Sequence, residues 1–227
     1  MKTVIIPTLN EVENITNLVH SIYKYASPSD TRVLVIDDDS TDGTQDAVDT
    51  LMKMYPNLLL VVRKGERGLS KAVKKGASLI ESGYVLVMDA DFSHHPSYIP
   101  ELFGKISEGF DVVVGSRYIS GGRIIGWSVA RIVVSKVATV LARVLLRLSI
   151  KDPMSGFVAF SSASFLKDHI RIADYKFLVE IIATNRSLKV GEVPIVFRNR
   201  IEGQSKLGGN TIFKYIKMLF QLMLIKS

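Results

Sequence analysis

Short apolar runs rich in β-branched residues recur along the first half of the chain, and stretches with the periodicity of amphipathic helices separate them. The runs that predict strands cover 3–6, 33–36, 58–62, 84–88 and 111–115. The helical stretches between them lie near 11–25, 42–54, 68–82 and 97–107. Strands that alternate with helices in this way are typical of a mostly parallel central sheet flanked by helices. The pattern therefore predicts an α/β fold.

The pattern changes after residue 120. A long helical pattern covers 127–148, a mixed segment follows at 157–200, and a helix-like tail covers 210–226. The longest run without Asp, Glu, Lys, Arg or His covers only 153–166 and is interrupted by Pro, Gly and Ser. A membrane-spanning helix needs about 20 predominantly apolar residues, so the sequence predicts none.

Several carboxylates and an arginine follow the first, second, fourth and fifth predicted strands. In an open parallel sheet, ligands bind just beyond the carboxyl ends of the strands. A single aspartate at such a point is typically a helix cap, but several acidic strand ends at one rim indicate a binding site. The residues that follow the strands are Pro7 to Glu11, Asp37 to Ser40, Asp89 to Asp91, and Gly115 to Arg117.

The stretch VLVMDADFSHHP (85–96) carries the most informative of these strand ends. An apolar strand runs directly into Asp89 and Asp91, whose like charges repel each other. A divalent cation removes this conflict, because two carboxylates supply oxygen ligands to Mg²⁺ or Mn²⁺, which then bridges phosphate oxygens. The alternative is a pair of solvated caps. We expect the adjacent His94 and His95 to be structural.

The charge balance points to an anionic partner. Lys and Arg number 29 against 22 acidic residues, a net charge of +7, which suits a nucleotide, a nucleic acid or a membrane surface. There is no cysteine, so disulfides and thiolate metal sites are excluded. The glycine-containing segment 65–76 lacks the P-loop pattern, and the segment around Ser155 lacks the nucleophile elbow.

The segment 127–150 combines apolar residues with periodic cations. At 100° per residue, Lys136, Arg143 and Arg147 share one helix face, whereas Arg131 and Ser135 share a different face and could bind one phosphate together. The tail repeats the basic amphipathic pattern. Helices of this kind lie on membrane surfaces without spanning them, although packing on the core is the plain alternative.

Five segments, in the same order, resemble those of the dolichol-phosphate mannose synthases, inverting family 2 glycosyltransferases with the GT-A fold. They read VIIPTLNEVENI, VLVIDDDSTDGT, MDADFSHHP, GSRY and GEVPIVFRNRIEGQSKLGG. The resemblance runs from about residue 3 to residue 210, and MDADFSHHP together with EGQSKLGG is its most specific part. It implies a GT-A catalytic domain over 1–210, followed by an amphipathic C-terminal helix over 211–227 that contacts a membrane surface or is the remnant of a membrane linker.

The resemblance implies transfer of mannose from GDP-mannose to dolichyl or another polyprenyl phosphate, giving dolichyl β-D-mannosyl phosphate, with Mg²⁺ or Mn²⁺ as cofactor. It implies a peripheral protein on the cytoplasmic side of a membrane, the ER membrane in a eukaryote or the plasma membrane in a prokaryote. A transferase with another donor, such as UDP-glucose, is the alternative. A basic nucleic-acid-binding module is a further alternative, but with one Trp and no binding motif we expect no nucleic acid partner.

The resemblance also assigns roles to individual positions. Asp89 and Asp91 would hold the metal, and with Arg117 and Arg131 they form the expected catalytic set. Arg131 and Ser135 would contact the acceptor phosphate. The residues expected to contact the nucleotide, the donor sugar or its diphosphate are Pro7, Leu9, Glu11, Ile36, Asp38, Ala90, Arg117, Arg200 and Lys206.

Three positions depart from the pattern of the family. Leu9 stands where many members have Tyr, and Ser93 stands where some have a metal-binding Gln. Asp39 replaces the commoner Gly of its turn, and we expect the turn to survive because aspartate tolerates unusual backbone angles. None of the three removes a group that the implied chemistry requires.

Overall fold

A computed structural model describes residues 1–170, 176–199 and 209–225, with the side chains of 209–214 and 225 excluded. Within this part the chain forms nine strands and eight α-helices. The strands are β1 (Lys2–Thr8), β2 (Thr31–Asp37), β3 (Leu58–Val62), β4 (Tyr84–Val87), β5 (Val112–Ser116), β6 (Arg123–Ile125), β7 (Val158–Phe160), β8 (Val190–Pro194) and β9 (Val196–Arg198).

The helices confirm the alternation that the sequence predicts, and a short 3₁₀ turn (Pro96–Tyr98) precedes the fourth of them. They are α1 (Val12–Tyr25), α2 (Thr44–Met52), α3 (Leu69–Ser78), α4 (Ile99–Ser107), α5 (Val129–Leu145), α6 (Ala163–His169), α7 (Phe177–Thr184) and α8 (Gly209–Ile225).

Seven strands form one sheet in the order β3-β2-β1-β4-β7-β5-β8. All neighbouring pairs are parallel except those of β7, which runs antiparallel to both β4 and β5. The mostly parallel sheet is confirmed. The chain proceeds outward from β1 to β3 and then returns to the other side of β1 with β4. Open sheets bind ligands at such a switch point, beyond the carboxyl ends of the strands.

Alternate residues of the central strands face two separate layers of the core. In β1, Ile5 packs in the layer beneath α3, α6, α7 and α8, whereas Val4 and Ile6 pack in the layer beneath α1, α2 and α4. This near-continuous apolar run is expected of a strand buried on both faces. The alternation fixes the register, because a shift by one residue would move every side chain to the wrong layer.

The buried carboxylate of Asp37 ties three elements together at the end of β2. It accepts hydrogen bonds from Thr8 Oγ1 in β1 (2.8 Å), from the Ser40 backbone N–H (2.8 Å) and hydroxyl (2.6 Å), and from Gln45 Nε2 in α2 (2.9 Å). Asp39 adopts φ 63° in this turn, as the sequence analysis expects. The bonds fix the loop that follows β2 against the end of β1.

Helix α8 packs against α5 and α7, and its inner residues Tyr215, Met218, Leu219 and Leu222 join the core. The Tyr215 hydroxyl donates to the carbonyl of Ala138 in α5 at 2.7 Å. The domain boundary at residue 210 stays a prediction. No helix in the described part of the chain is long and apolar enough to cross a membrane.

Two helical glycines provide a matched test of how closely α3 packs on the sheet. A Cβ atom at Gly76 would lie 2.9 Å from Ile5 Cγ2 and 3.3 Å from Ile36 Cγ1, whereas one at Gly104 in α4 would meet nothing within 4 Å. We expect Gly76→Ala to lower the free energy of unfolding by about 1–3 kcal/mol through overpacking.

Gly104→Ala should instead raise the free energy of unfolding by about 0.5–1 kcal/mol, because alanine loses less backbone entropy in a helix. Urea denaturation of both variants measures the difference. Equal stabilisation by the two substitutions would contradict the close approach of α3 to β1 and β2.

Candidate active site at the carboxyl rim of the sheet

The carboxyl ends of β1, β2, β4 and β5 lie at one rim of the sheet, as the sequence analysis expects. The first residues of the antiparallel β7 lie at the same rim, because β7 begins where its neighbours end. The short parallel pair β6–β9 follows β5 and β8 in the chain, and its Arg123 N–H donates to Ile195 just beyond β8. The rim therefore gathers residues from both halves of the sequence.

The residues expected around the nucleotide lie at the ends of β1 and β2. Pro7 pairs with Ile36 in the parallel register, and Pro7, Leu9 and Glu11 are half-buried. The side chain of Ile36 is fully buried in the core layer beneath α3. Glu11 precedes the first residue of α1, where its N–H donates to Thr44 Oγ1 at 2.9 Å.

Asp38 holds the loop that follows β3. Its carboxylate accepts from Arg63 Nε at 2.9 Å and from the backbone N–H of Gly68 at 2.8 Å, and the side chains of Asp38 and Arg63 are both more than nine-tenths buried. Arg63 also donates to the carbonyl of Glu66 at 3.1 Å. Asp38 therefore fixes the turn at 63–68 next to the end of β2.

Asp89 and Asp91 follow β4 at the switch point. The side chain of Asp89 is 37 % exposed, whereas Asp91 is buried and accepts from the Ser93 backbone N–H at 3.0 Å. Ala90 is buried between them. Phe92 adopts φ 56°, the left-handed region that bulky residues rarely occupy, and such strain concentrates at functional sites.

A divalent cation fits this loop, although no group of three or more acidic, histidine or cysteine side chains converges there within the described residues. Asp89 and Asp91 supply carboxylate oxygens, the ligands that Mg²⁺ and Mn²⁺ prefer. In the described part of the chain, the buried atoms Ser93 Oγ and His94 Nδ1 form no hydrogen bond. Buried polar atoms are normally paired, so a hydrated cation beside them would satisfy both.

His94 lies between aromatic rings and beside Asp89. Its ring stacks on Phe157 with a centroid distance of 5.2 Å and meets Phe197 edge-on at 5.1 Å. Nδ1 is 3.8 Å from Asp89 Oδ2, and burial lowers the pKa of His94 below its usual value despite that carboxylate. Burial also lowers the pKa of His95, whose ring caps the 3₁₀ turn by accepting from the Ser97 backbone N–H at 3.2 Å.

Arg117 follows β5 and is bound by Asp152, a carboxylate with no exposed surface. Asp152 Oδ2 accepts from Arg117 Nε at 2.7 Å and from its backbone N–H at 3.0 Å, and Oδ1 accepts from Nη2 at 2.7 Å. Burial opposes the charged guanidinium, but these hydrogen bonds outweigh it and raise the pKa of Arg117. Arg117 is therefore a fixed, fully charged donor at the rim.

Arg131 and Ser135 lie on the inner face of α5, and two aromatic residues connect them to Arg117. The guanidinium of Arg131 is 4.1 Å from the Trp127 ring centroid, and its Nη1 donates to Asn199 Oδ1 at 3.0 Å. Ser135 Oγ is 2.9 Å from the Tyr118 hydroxyl. Since Arg117 lies over the rings of both Tyr118 and Trp127, the structure brings the three residues together.

Arg200 and Lys206 lie outside the described residues. Four further residues near the site were not predicted from the sequence: Arg63, Trp127, Asp152 and Lys176. Lys176, just before α7, donates to the Met154 carbonyl at 3.3 Å, and burial followed by the charge of Arg117 lowers its pKa. Arg63 could have been found from the sequence, because it directly follows a strand that ends at the rim.

Comparison with known families and proteins gives one consistent result. The model of the family described as glycosyl transferase family 2 matches residues 3–167. A dolichol-phosphate mannosyltransferase from Pyrococcus furiosus is 38% identical over 223 residues, which cover 97% of this chain and 63% of the relative. Proteins of the same name are 35% identical in Saccharomyces cerevisiae and 34% identical in Mycosarcoma maydis, and the chain covers 87% and 78% of their lengths.

Solved structures of a glycosyltransferase share the fold. The glucosyl-3-phosphoglycerate synthase from Mycobacterium tuberculosis in complex with Mn²⁺, UDP-glucose and phosphoglyceric acid superimposes with a TM-score of 0.73 at 20% identity, over 100% of this chain and 79% of that one. Its complex with Mn²⁺, UDP and glucosyl-3-phosphoglycerate gives a TM-score of 0.72 at 19% identity, with the same coverage of both chains. At these identities the likeness concerns the fold.

Gly156 leaves no room between the start of β7 and the carboxylate of Asp89. A Cβ atom there would lie 3.0 Å and 3.3 Å from the two carboxylate oxygens. We expect Gly156→Ala to displace Asp89 and to weaken Mn²⁺ binding about 10-fold, the scale seen when groups that orient metal ligands are changed. Electron paramagnetic resonance of free Mn²⁺ measures the affinity. Gly104→Ala is the control, and equal affinities for the two variants would contradict the placement of Asp89.

Proposed function

Because the chain belongs to glycosyl transferase family 2, we propose that it transfers mannose from GDP-mannose to the phosphate of dolichyl or another polyprenyl phosphate, with inversion. The observation that carries the proposal is the arrangement of the Asp89–Asp91 pair, the fixed Arg117 and the α5 residues Arg131 and Ser135 at one rim. A carboxylate pair suits a metal-bound diphosphate, and arginines beside it suit a second phosphate.

The chemistry requires displacement of the nucleoside diphosphate from the anomeric carbon of mannose. An oxygen of the acceptor phosphate forms the new bond on one face of the sugar, and the bond to the diphosphate oxygen breaks on the other face. Bound Mg²⁺ or Mn²⁺ supplies charge neutralisation for the departing diphosphate. Asp89 and Asp91 would hold that ion, and Arg117 would stabilise the developing charge.

The acceptor needs positioning more than deprotonation. A phosphate monoester has a second pKa of about 6, so it is largely ionised near neutral pH. The buried ring of His94 faces Asp89 and packs between Phe157 and Phe197. These surroundings suit a structural role for His94 better than the role of a general base. Arg131 and Ser135, one turn apart on the inner face of α5, would hold the phosphate oxygens.

The outer face of α5 suits the surface of a membrane, where a polyprenyl phosphate resides. Five valines on this face are between 52% and 77% exposed: Val129, Val133, Val137, Val140 and Val144. Lys136 and Arg147, both exposed, flank them. The adjacent α8 exposes Ile216, Phe220 and Leu224 at intervals of one turn. An apolar face with basic flanks binds in the interface of an anionic membrane.

We further propose that the protein works as a peripheral protein on the cytoplasmic side of a membrane, the ER membrane in a eukaryote or the plasma membrane in a prokaryote. GDP-mannose is a water-soluble donor, whereas the acceptor is anchored in lipid. Arg131 and Ser135 lie on the face of α5 opposite the outward valines, so the acceptor phosphate and the membrane would lie on the two sides of this helix.

Transfer itself is tested with labelled GDP-mannose, dolichyl phosphate and Mg²⁺ or Mn²⁺, followed by extraction of the lipid. We expect label in the lipid phase, and loss of about 100-fold or more with Asp91→Asn, because the charge stabilisation at the leaving group is removed. Asp49→Asn, the same change at an exposed position of α2, should retain full transfer.

Two results would contradict the proposal in different ways. Retention of transfer by Asp91→Asn would remove the metal assignment. Labelled lipid from UDP-glucose, with none from GDP-mannose, would leave the fold and acceptor in place and replace the donor.

Binding to membranes is tested by sedimentation with anionic phospholipid vesicles. We expect Val137→Glu/Val140→Glu to weaken vesicle binding by about 10-fold or more, since two apolar side chains lose a favourable burial of about 1.5 kcal/mol or more each. Met54→Glu/Leu79→Glu introduces the same charges at exposed apolar positions just beyond the ends of α2 and α3, and this variant should bind like the parent chain. Equal loss in the two pairs would indicate a general charge effect instead of an α5 surface.

A further inference from the structure

We propose that Asp152 is a positioning residue for transfer. It holds the guanidinium of Arg117 in an orientation in which Nη1 can donate hydrogen bonds to the phosphate groups of the substrates. This inference rests on the proposed function, because it names the residue through which Arg117 acts. Asp152 belongs to none of the motifs discussed above. It lies in the loop before β7, 35 positions from Arg117 in the sequence.

The hydrogen bonds leave the guanidinium one free end. Asp152 Oδ2 accepts a hydrogen bond from Arg117 Nε at 2.7 Å, and Oδ1 accepts one from Nη2 at 2.7 Å. The carboxylate therefore pairs with one whole edge of the planar guanidinium. Nη1 forms no hydrogen bond within the part of the chain that the structure describes. A bidentate pair of this kind fixes direction as well as position.

Three aromatic rings fix the plane of the same group. The guanidinium carbon of Arg117 lies 5.2 Å from the ring centroid of Tyr118, 5.4 Å from that of Phe197 and 5.7 Å from that of Trp127. Trp127 also lies 4.1 Å from the guanidinium of Arg131. A movement of Arg117 would therefore change the packing of Trp127 and, through it, the expected acceptor side.

Glu192 fixes Asp152 in turn. Its two carboxylate oxygens accept from the backbone N–H groups of Lys151 at 2.8 Å and of Asp152 at 3.1 Å. Glu192 lies on β8 in register with Val114 of β5, so the sheet itself determines its position. Glu192 of β8 thus positions the loop at 151–152, and Asp152 of this loop positions the side chain of Arg117 at the end of β5.

A purely structural ion pair is the competing explanation, and a double-mutant cycle separates the two. We compare Asp152→Asn, Arg117→Gln and the double variant for kcat and for KM of GDP-mannose. Asp152→Asn should lower kcat about 10- to 100-fold, the usual cost of changing a group that orients a functional side chain, with a smaller change in KM. In the Arg117→Gln background the same substitution should change kcat by less than about 2-fold.

The single Trp127 supplies a readout that does not require activity, because the chain contains one Trp. Asp152→Asn should shift its fluorescence and its acrylamide quenching, and the shift should be absent in the Arg117→Gln background. Glu192→Gln, which keeps one acceptor, is the milder variant if Asp152→Asn fails to fold. It should lower kcat by a smaller factor and likewise have no effect once Arg117 is replaced.

Asp111→Asn is the matched control, since Asp111 also accepts a backbone N–H, from Lys189 at 2.8 Å, but precedes β5 at the opposite end of that strand. It should leave kcat unchanged. Equal losses from Asp152→Asn with and without Arg117 would overturn the positioning role. An inactive parent chain would refute the proposed function. The fluorescence of Trp127 in the two single variants and the double variant would then still confirm or refute the coupling of Asp152 to Arg117.

Discussion

The antiparallel strand β7 is the constraint on which the site depends. Its three residues lie between β4 and β5 and pair with both in the opposite direction. The strand therefore begins at the rim where its neighbours end, and the loop before it reaches the space between Asp89 and Arg117. Gly156 leaves too little space for a side chain beside the carboxylate of Asp89, and Asp152 binds Arg117. A parallel strand in this place would send that loop to the far side of the sheet.

Charges of both signs are concentrated around the buried ring of His94. Asp89, Asp91 and Asp152 all act electrostatically on the buried ring of His94, as does Arg117. Buried charges are costly unless they are paired, and Asp152 has its partner in Arg117. Under the proposed function, Asp89 and Asp91 would in addition hold the metal that binds with the diphosphate. The rim would then bind a cation and an anion together.

The sequence predicts the first five strands and the helices between them because each of these strands is a continuous apolar run, which is easily recognised. It also predicts the rim residues, since strand ends can be located from the runs. It does not reveal β7, whose three residues VAF lie within a mixed segment without clear periodicity. Nor does the sequence reveal the role of Asp152, which depends on the position of β7. Its partner is distant in sequence, and only the pairing of β7 with β5 brings them together.

Under the proposed function, the placement of α5 determines how far the acceptor phosphate would lie from the membrane. A helix with its side chains is about 10–12 Å across, and Arg131 and Ser135 lie on the face opposite the exposed valines. If that outer face rests at the hydrocarbon boundary, the phosphate is held roughly one helix diameter above it. The first isoprene units must then leave the bilayer, and each exposed CH₂ costs about 0.8 kcal/mol unless apolar side chains cover it. The helix would act as a spacer that sets how much of the lipid tail is withdrawn.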